Sequence, residues 1–416
     1  MREDSARIPE KLVFIAVAAA AVLLLLPPVR SFFFETGRRW FYILAVSFSL
    51  AYALVPLCRE IAWVAGILDQ PAERKVHTRV TPLLGGVAVF VAFIVSIIVN
   101  AIPSMELVGI VSGGLIVFVV SLVDDVREIS ASFKLVLQIL ATCIVMTTGV
   151  TLTVFPDATG IPGEVGNLLL TLLWVVGITN AFNFFDGMDG LAAGLGAILS
   201  FFLAMVALQT DHPFLGWISL AMMGSCLGFL PYNFRPYKRA TIFLGDAGST
   251  FIGFILAFLA VFGQWSDSDP VSALAPPLLI FWVLIFDMVH ITVDRIITGK
   301  VRTVREWLEY VGKDHLHHRL MYVLGGPQRS VLFIYLMTCC LGLSAVVLRN
   351  ASPMDVGLLL LQAAILVVLL TILERRGRNL STRLETNGRG VDPLPDRKAA
   401  GESQDASGNR MAAGPL

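Results

Sequence analysis

Long apolar runs constrain this chain more than anything else in it. They lie near 11–27, 40–57, 83–101, 106–123, 135–154, 167–183, 190–209, 214–231, 249–264, 272–292, 331–348 and 356–373. A helix needs roughly 20 predominantly apolar residues to cross a bilayer, and in lipid only helices and closed barrels satisfy every backbone N–H and C=O. The runs therefore specify an all-α fold, a polytopic integral membrane helical bundle. The first run ends at Pro27-Pro28, and no small-residue cleavage site follows it, so it is expected to be an extra N-terminal span rather than a signal segment. That leaves 11 core transmembrane helices. Composition agrees, because 56% of the 416 residues are hydrophobic and 15% charged, with a mean hydropathy of +0.77, far from the globular norm.

Charge sets the orientation. Arg59, Arg74, Lys75 and Arg79, then Arg127 and Lys134, then Arg235, Lys238 and Arg239, and the basic loop 293–330 all fall on one side of the bundle. The loops 102–105, 155–165, 210–213 and 265–271 contain no Lys or Arg. By the positive-inside rule the first side is cytoplasmic. Arg30, Arg38 and Arg39 are the discordant group, on the expected outer side. Three regions follow: an N-terminal segment 1–39, a membrane-embedded domain 40–373, and a tail 374–416, opening E-R-R-G-R-N, that reads as disordered and cytoplasmic. Formal net charge is zero, so nothing argues for nucleic acid. The five cysteines are odd in number and sit in or beside apolar runs, which argues against a disulfide framework.

Almost every acid in the membrane domain stands at the cytoplasmic end of a run. Asn180 to Leu191, N-A-F-N-F-F-D-G-M-D-G-L, places Asn180, Asn183, Asp186 and Asp189 in a bend between two spans, with Gly187 and Gly190 letting backbone approach a ligand. As a plain polar turn it would need neither two amides nor two acids. Asp124-Asp125 closes another span ahead of Lys134 and Gln138, and by itself reads as a solvated helix boundary. F-L-G-D-A-G-S, from Phe243 to Ser249 and preceded by Asn233, by itself reads as an N-cap at Asp246. D-Q-P-A-E-R-K-V-H, from Asp69 to His77, by itself reads as an ordinary basic loop. His315-Leu316-His317-His318-Arg319 holds three of the six histidines; a zinc site lacks a nearby cysteine, and flanking Lys313 and Arg319 favour an anion-binding loop. Together these pieces suit a magnesium-phosphate site, with carboxylates and amides for a hard cation and Lys, Arg and His for phosphate oxygens. A rival reading is a cation-coupled transporter, for which Asp287, one turn before His290, is the signature.

The set of motifs, in this order from about Trp40 to Leu373, resembles the polyprenyl-phosphate N-acetylhexosamine-1-phosphate transferases. This family includes the undecaprenyl-phosphate GlcNAc-1-phosphate transferases and, more distantly, the phospho-MurNAc-pentapeptide translocases. Eleven helices are the number the resemblance implies. It further implies that Asp246 holds Mg2+ or Mn2+ together with Asp186, and that Asp124, Asp125 and Asp186 cluster around metal and reacting phosphates. It implies that Asp189 reads the uracil edge, that Lys75, Asn233 and Phe243 line the nucleotide pocket, that Lys134, Asn180 and Asn183 bind substrate, and that His315, His317 and His318 position phosphate. The implied partners are UDP-GlcNAc or a related UDP-N-acetylhexosamine, undecaprenyl phosphate, membrane lipid and a second copy of the chain. The implied reaction transfers the sugar 1-phosphate to the lipid at the cytoplasmic face of a bacterial inner membrane, releases UMP, and starts a lipid-linked cell-envelope polysaccharide. One departure is G-K-V-R-T-V-R-E-W-L-E-Y-V-G-K-D before the histidines, where the family often reads R-G-R-S-P-F. This leaves the sugar open, with the H-L-H-H-R-L form favouring UDP-GlcNAc over the pentapeptide substrate.

Overall fold

The computed structural model describes residues 7–71, 79–101, 104–155, 159–210, 212–235, 238–263, 270–303, 306–307, 310, 312, 314–348 and 353–386. The helices are α1 (Arg7–Leu24), α2 (Pro27–Glu35), α3 (Arg39–Ala65), α4 (Gly85–Asn100), α5 (Met105–Val126), α6 (Ala131–Met146), α7 (Ile161–Phe184) and α8 (Leu191–Gln209). They continue as α9 (Pro213–Asn233), α10 (Gly245–Phe262), α11 (Pro270–Ile280), α12 (Trp282–Ile297), α13 (Leu316–Leu324), α14 (Pro327–Leu348) and α15 (Pro353–Thr386). A two-stranded ribbon, β1 (Leu68–Asp69) against β2 (Thr81–Pro82), pairs antiparallel with Leu68 opposite Pro82. Among the described residues eight helices are long and apolar enough to cross a membrane, and α1 with α2 forms one bent pair. The shorter apolar helices α4 and α6 and the broken pair α11–α12 complete the expected set of runs.

The breaks have local causes. Pro27 and Pro28 cannot continue α1, and α2 leaves at 76°, with proline at its start where a missing N–H costs nothing. The discordant Arg39 has partners within the bundle. Its guanidinium lies 3.7 Å from the Trp217 ring and 4.6 Å from the Phe34 ring, and it donates to the Asn100 carbonyl. Proline pairs with an apolar break again at Pro276-Pro277, after which the chain turns at Phe281 into α12.

Two sequence expectations need correction. The span expected at 135–154 is a helix only to Met146; Gly149 adopts φ +89°, and the strand-prone T-L-T-V that follows runs alongside α7. There Leu152 N–H donates to Thr171 Oγ1 at 2.9 Å, and Val154 and Phe155 N–H both donate to Asn167 Oδ1 at 2.9 Å. The tail expected to be disordered from residue 374 is helical through Thr386, because Glu374 is buried at 1% exposure and ion-paired. Residues 387–416 lie outside the described residues.

α10 is the axis of the bundle. It is apolar on every side, as a fully enclosed helix should be, and from Gly245 to Val261 every residue except Asp246 is buried. Small residues let its neighbours come close: Gly113 of α5 faces Phe254, and Gly253 of α10 faces Phe182 and the backbone of Thr179 on α7. The one open position on this axis is thus a carboxylate at its first turn.

Candidate active site

At one end of the bundle the segments bearing the acids are stitched together by backbone. Phe243 N–H donates to the Pro82 carbonyl at 2.8 Å, and the N–H groups of Gly85 and Gly86 donate to the Phe243 and Leu244 carbonyls at 3.0 and 2.7 Å. The chain from β2 into α4 therefore lies along the entry to α10. Gly245 takes φ +78°, and a Cβ there would stand 2.7 Å from both Asp125 Oδ2 and the Leu83 carbonyl. Only glycine fits this turn.

Asp125 performs the capping that the sequence suggested for Asp246. Its Oδ1 accepts from Asp246 N–H at 2.8 Å and its Oδ2 from Ala247 N–H at 3.0 Å. A carboxylate from α5 thus satisfies the orphan donors and the dipole at the start of α10. Asp246 is released from that job, and its side chain is 39% exposed, the most open of these acids that carries an ion pair. Lys134 Nζ sits between two carboxylates, 2.6 Å from Asp124 Oδ2 and 3.2 Å from Asp246 Oδ2, while Asp124 Oδ1 accepts from Ile129 N–H at 2.7 Å. Lys134 thus occupies the kind of position a cation takes among oxygen ligands.

The bend after α7 contributes Asp186. Burial, and then the carboxylates of Asp246, Asp125, Asp189 and Asp69, push its carboxyl well above the ordinary range. Five acids from four separate segments therefore share one field. Asn233 clamps the bend: its Oδ1 accepts from Gly190 N–H at 2.6 Å and its Nδ2 donates to the Ile242 carbonyl at 3.0 Å. Both ends of this amide are engaged, so Asn233 shapes the site from behind. Asp189 Oδ2 accepts from Ala240 N–H at 2.9 Å. Asn180 Nδ2 donates to Gln138 Oε1 at 2.7 Å and Asn183 Nδ2 to Ser249 Oγ at 2.9 Å, which ties α7 to α6 and α10.

Above the bend lies the histidine helix α13. Asp287, the residue behind the transporter reading, anchors it: Oδ1 accepts from Leu316 N–H at 2.7 Å and Oδ2 bonds His315 Nδ1 at 2.8 Å. That bond fixes the ring of His315 and leaves Nε2 as its other face, the usual use of a carboxylate behind a working histidine. Asp314 receives a two-pronged contact from Arg295, at 2.7 and 2.9 Å; burial opposes its charge, but the guanidinium holds its carboxyl below the ordinary range. His317 is 1% exposed, and neither of its ring nitrogens has a hydrogen-bond partner. Burial, with His318 and His315 adding to it, drives its basicity well below the usual value, so it is a neutral imidazole. Gly187 supports it so closely that a Cβ there would strike His317 Nε2. The His318 ring lies 4.2 Å from that of His317.

The oxygen donors here suit a hard dication. Among the described residues no group of three or more His, Cys, Asp or Glu side chains is arranged to hold a metal ion by itself. Magnesium keeps several waters and takes one or two carboxylates together with substrate phosphates, so Asp246 and Asp186 are a fitting donor pair.

Comparison with known proteins decides the family. The pattern described as "Glycosyl transferase family 4" matches residues 107–264. A protein of Bacillus subtilis named probable undecaprenyl-phosphate N-acetylglucosaminyl 1-phosphate transferase is 35% identical over 312 residues, 74% of this chain and 84% of that one. The decaprenyl-phosphate N-acetylglucosaminephosphotransferase of Mycobacterium tuberculosis is 32% identical over 352 residues, covering 77% and 85%. The chain belongs to this family of polyprenyl-phosphate N-acetylglucosamine-1-phosphate transferases. A more distant relative, the undecaprenyl-phosphate alpha-N-acetylglucosaminyl 1-phosphate transferase of Escherichia coli, is 28% identical over 305 residues, 71% of this chain and 79% of that one. In this transferase the matched region 107–264 spans Asp124, Asp125, Asp186, Asp189 and Asp246, whereas the histidine helix lies beyond it. Lys75 and most of the loop around it fall outside the described residues. Asp287 and Glu374 are the residues whose place at this end of the transferase the motifs did not announce. For Asp287 the available signal was its position one turn before His290; for Glu374 it was a lone acid among arginines directly after an apolar run.

Proposed function

We propose that this transferase moves N-acetylglucosamine 1-phosphate from UDP-GlcNAc to undecaprenyl phosphate at the cytoplasmic face of a bacterial inner membrane, releasing UMP. The observation that carries the reading is the meeting of Asp124, Asp125, Asp186 and Asp246 with Lys134 at one bundle end. These residues come from helix ends and a bend, where a soluble nucleotide can meet a phosphate held by a membrane lipid. The names of the relatives support a polyprenyl phosphate acceptor and an N-acetylglucosamine 1-phosphate donor. Held by Asp246 and Asp186, magnesium or manganese would neutralise charge on the diphosphate and on the departing UMP.

The side chains account for the remaining steps. The acceptor is a phosphate monoester with a second pKa near ~6, so at neutral pH its oxygen is already ionised and needs no strong base. Asp124, held by Lys134 and Ile129 N–H, keeps the ammonium of Lys134 directed at the phosphates. The neutral His317, itself buried from water, contributes a ring N–H, and a preorganised hydrogen bond to developing charge is strongest away from solvent. Asp189 and Phe243 border the space left for the nucleoside, with Asn233 holding them from behind.

Attack on the sugar-bearing phosphorus expels UMP, whereas a glycosyl transfer at the sugar carbon would expel UDP and require stabilisation of an oxocarbenium-like sugar. Since one diphosphate is exchanged for another, added UMP should run the reaction backwards. Chromatography of the released nucleotide is the test, and UDP in place of UMP would sink the mechanism while leaving the fold intact.

Topology is tested separately. In intact cells a cysteine placed at Ser132, beside the acids, should be shielded from an impermeant thiol reagent added outside, and one at Glu164, at the opposite end of α7, should label. The reverse pattern would put the site on the wrong side for a cytosolic nucleotide.

A further inference from the structure

The last helix continues past its apolar segment. After Leu373 the next turn of α15 reads E-R-R-G-R, and Glu374 is 1% exposed. Its carboxylate pairs with Arg319 Nη1 of α13 and with His290 Nε2 of α12. Arg378 Nη2 lies 3.6 Å from the same carboxylate, and Arg378 Nη1 lies 2.8 Å from Asp294 Oδ1. Asp294 Oδ2 in turn lies 3.4 Å from Arg319 Nη2. One turn on, Gly377 rests so closely on α13 that a Cβ would strike the Arg319 carbonyl. Three charged groups from two helices, Glu374 and Arg378 of α15 and Asp294 of α12, thus gather with the His290 ring around Arg319, which follows directly on His317 and His318.

A buried carboxylate is costly unless a cation lies beside it, and the guanidinium nearest to Glu374 is that of Arg319 on α13, so the burial of Glu374 depends on α15 docking there. The docked helix has nine residues, too few to be stable alone. Asp287 fixes its first turn, and the Glu374 cluster grips it one turn later. We infer that Glu374 is a positioning residue: through Arg319 the extension of α15 holds the histidine helix at the height where His317 meets Gly187. The inference rests on the proposed reading of His317 as acting on the reacting phosphates. Misplacing such a group by a fraction of an ångström costs rate more than binding.

The test uses the full-length purified enzyme with UDP-GlcNAc, undecaprenyl phosphate and magnesium, reading UMP release. Glu374→Gln should lower kcat about tenfold or more while the KM for UDP-GlcNAc stays within about twofold, and Glu374→Asp should recover part of the loss. In a His317→Ala background Glu374→Gln should lower kcat no further, because the residue acts through that histidine. Unchanged kcat in Glu374→Gln, or the same loss in both backgrounds, overturns the inference. Should Glu374→Gln fail to fold, Arg378→Gln loosens the same carboxylate from its half-exposed side; a smaller loss of kcat that vanishes in the His317→Ala background supports the inference, and none at all overturns it. A wild-type enzyme that releases no UMP refutes the proposed reaction instead, whereas normal release from wild type and Glu374→Gln alike refutes only the positioning role.

Discussion

Asp246→Asn is expected to abolish turnover in a protein that still folds. The side chain stands at the first turn of a helix otherwise enclosed, and its capping duty is carried by Asp125, so the amide removes charge without removing the bonds that hold α10. A metal contributes several kcal/mol of charge stabilisation in phosphoryl transfer, and an amide is a weaker ligand for a hard dication. At about 1.4 kcal/mol per tenfold, the loss should be about a thousandfold. The measurement is UMP release against magnesium concentration, with monodispersity in detergent as the check on folding. Full activity at limiting magnesium would remove Asp246 from the metal site.

His317→Ala should produce the second large effect, of a different kind. The ring is buried, unpartnered and neutral, so its removal breaks no hydrogen bond within the protein and the variant should accumulate normally. If the imidazole meets the reacting phosphate only as charge shifts, kcat should fall about a hundredfold, with UDP affinity changed by no more than about twofold. Equilibrium binding of UDP set beside single-turnover rates separates the outcomes. Parallel loss of binding and turnover would make His317 a clamp for the ground state of the nucleotide.

Much of this was legible in the residues. Apolar runs of membrane-crossing length permit only a helical bundle in lipid, and that class is what the helices form. The motifs were visible because their chemistry is expensive in a membrane: acids, amides and histidines beside long apolar runs have few structural uses. The misreadings share one cause. Glu374 looked like the start of a solvated tail because composition carries no information about a partner 55 residues earlier, and Asp287 looked like a transporter acid because its partner His315 lies beyond a basic loop. The helix end at Met146 was hidden because an apolar run does not reveal where hydrogen bonding changes from helix to an extended stretch.

The sequence by itself determined the class of fold and the places along the chain where polar groups interrupt apolar runs, since these follow from transfer free energies residue by residue. Tertiary structure alone decided which acid does which job. Asp246 and Asp125 are equally plausible as caps or ligands on paper, and only the approach of α5 to the first turn of α10 gives Asp125 the two backbone N–H groups and leaves Asp246 open beside Lys134. Roles of this kind depend on distances between segments more than a hundred residues apart, which local propensity cannot encode.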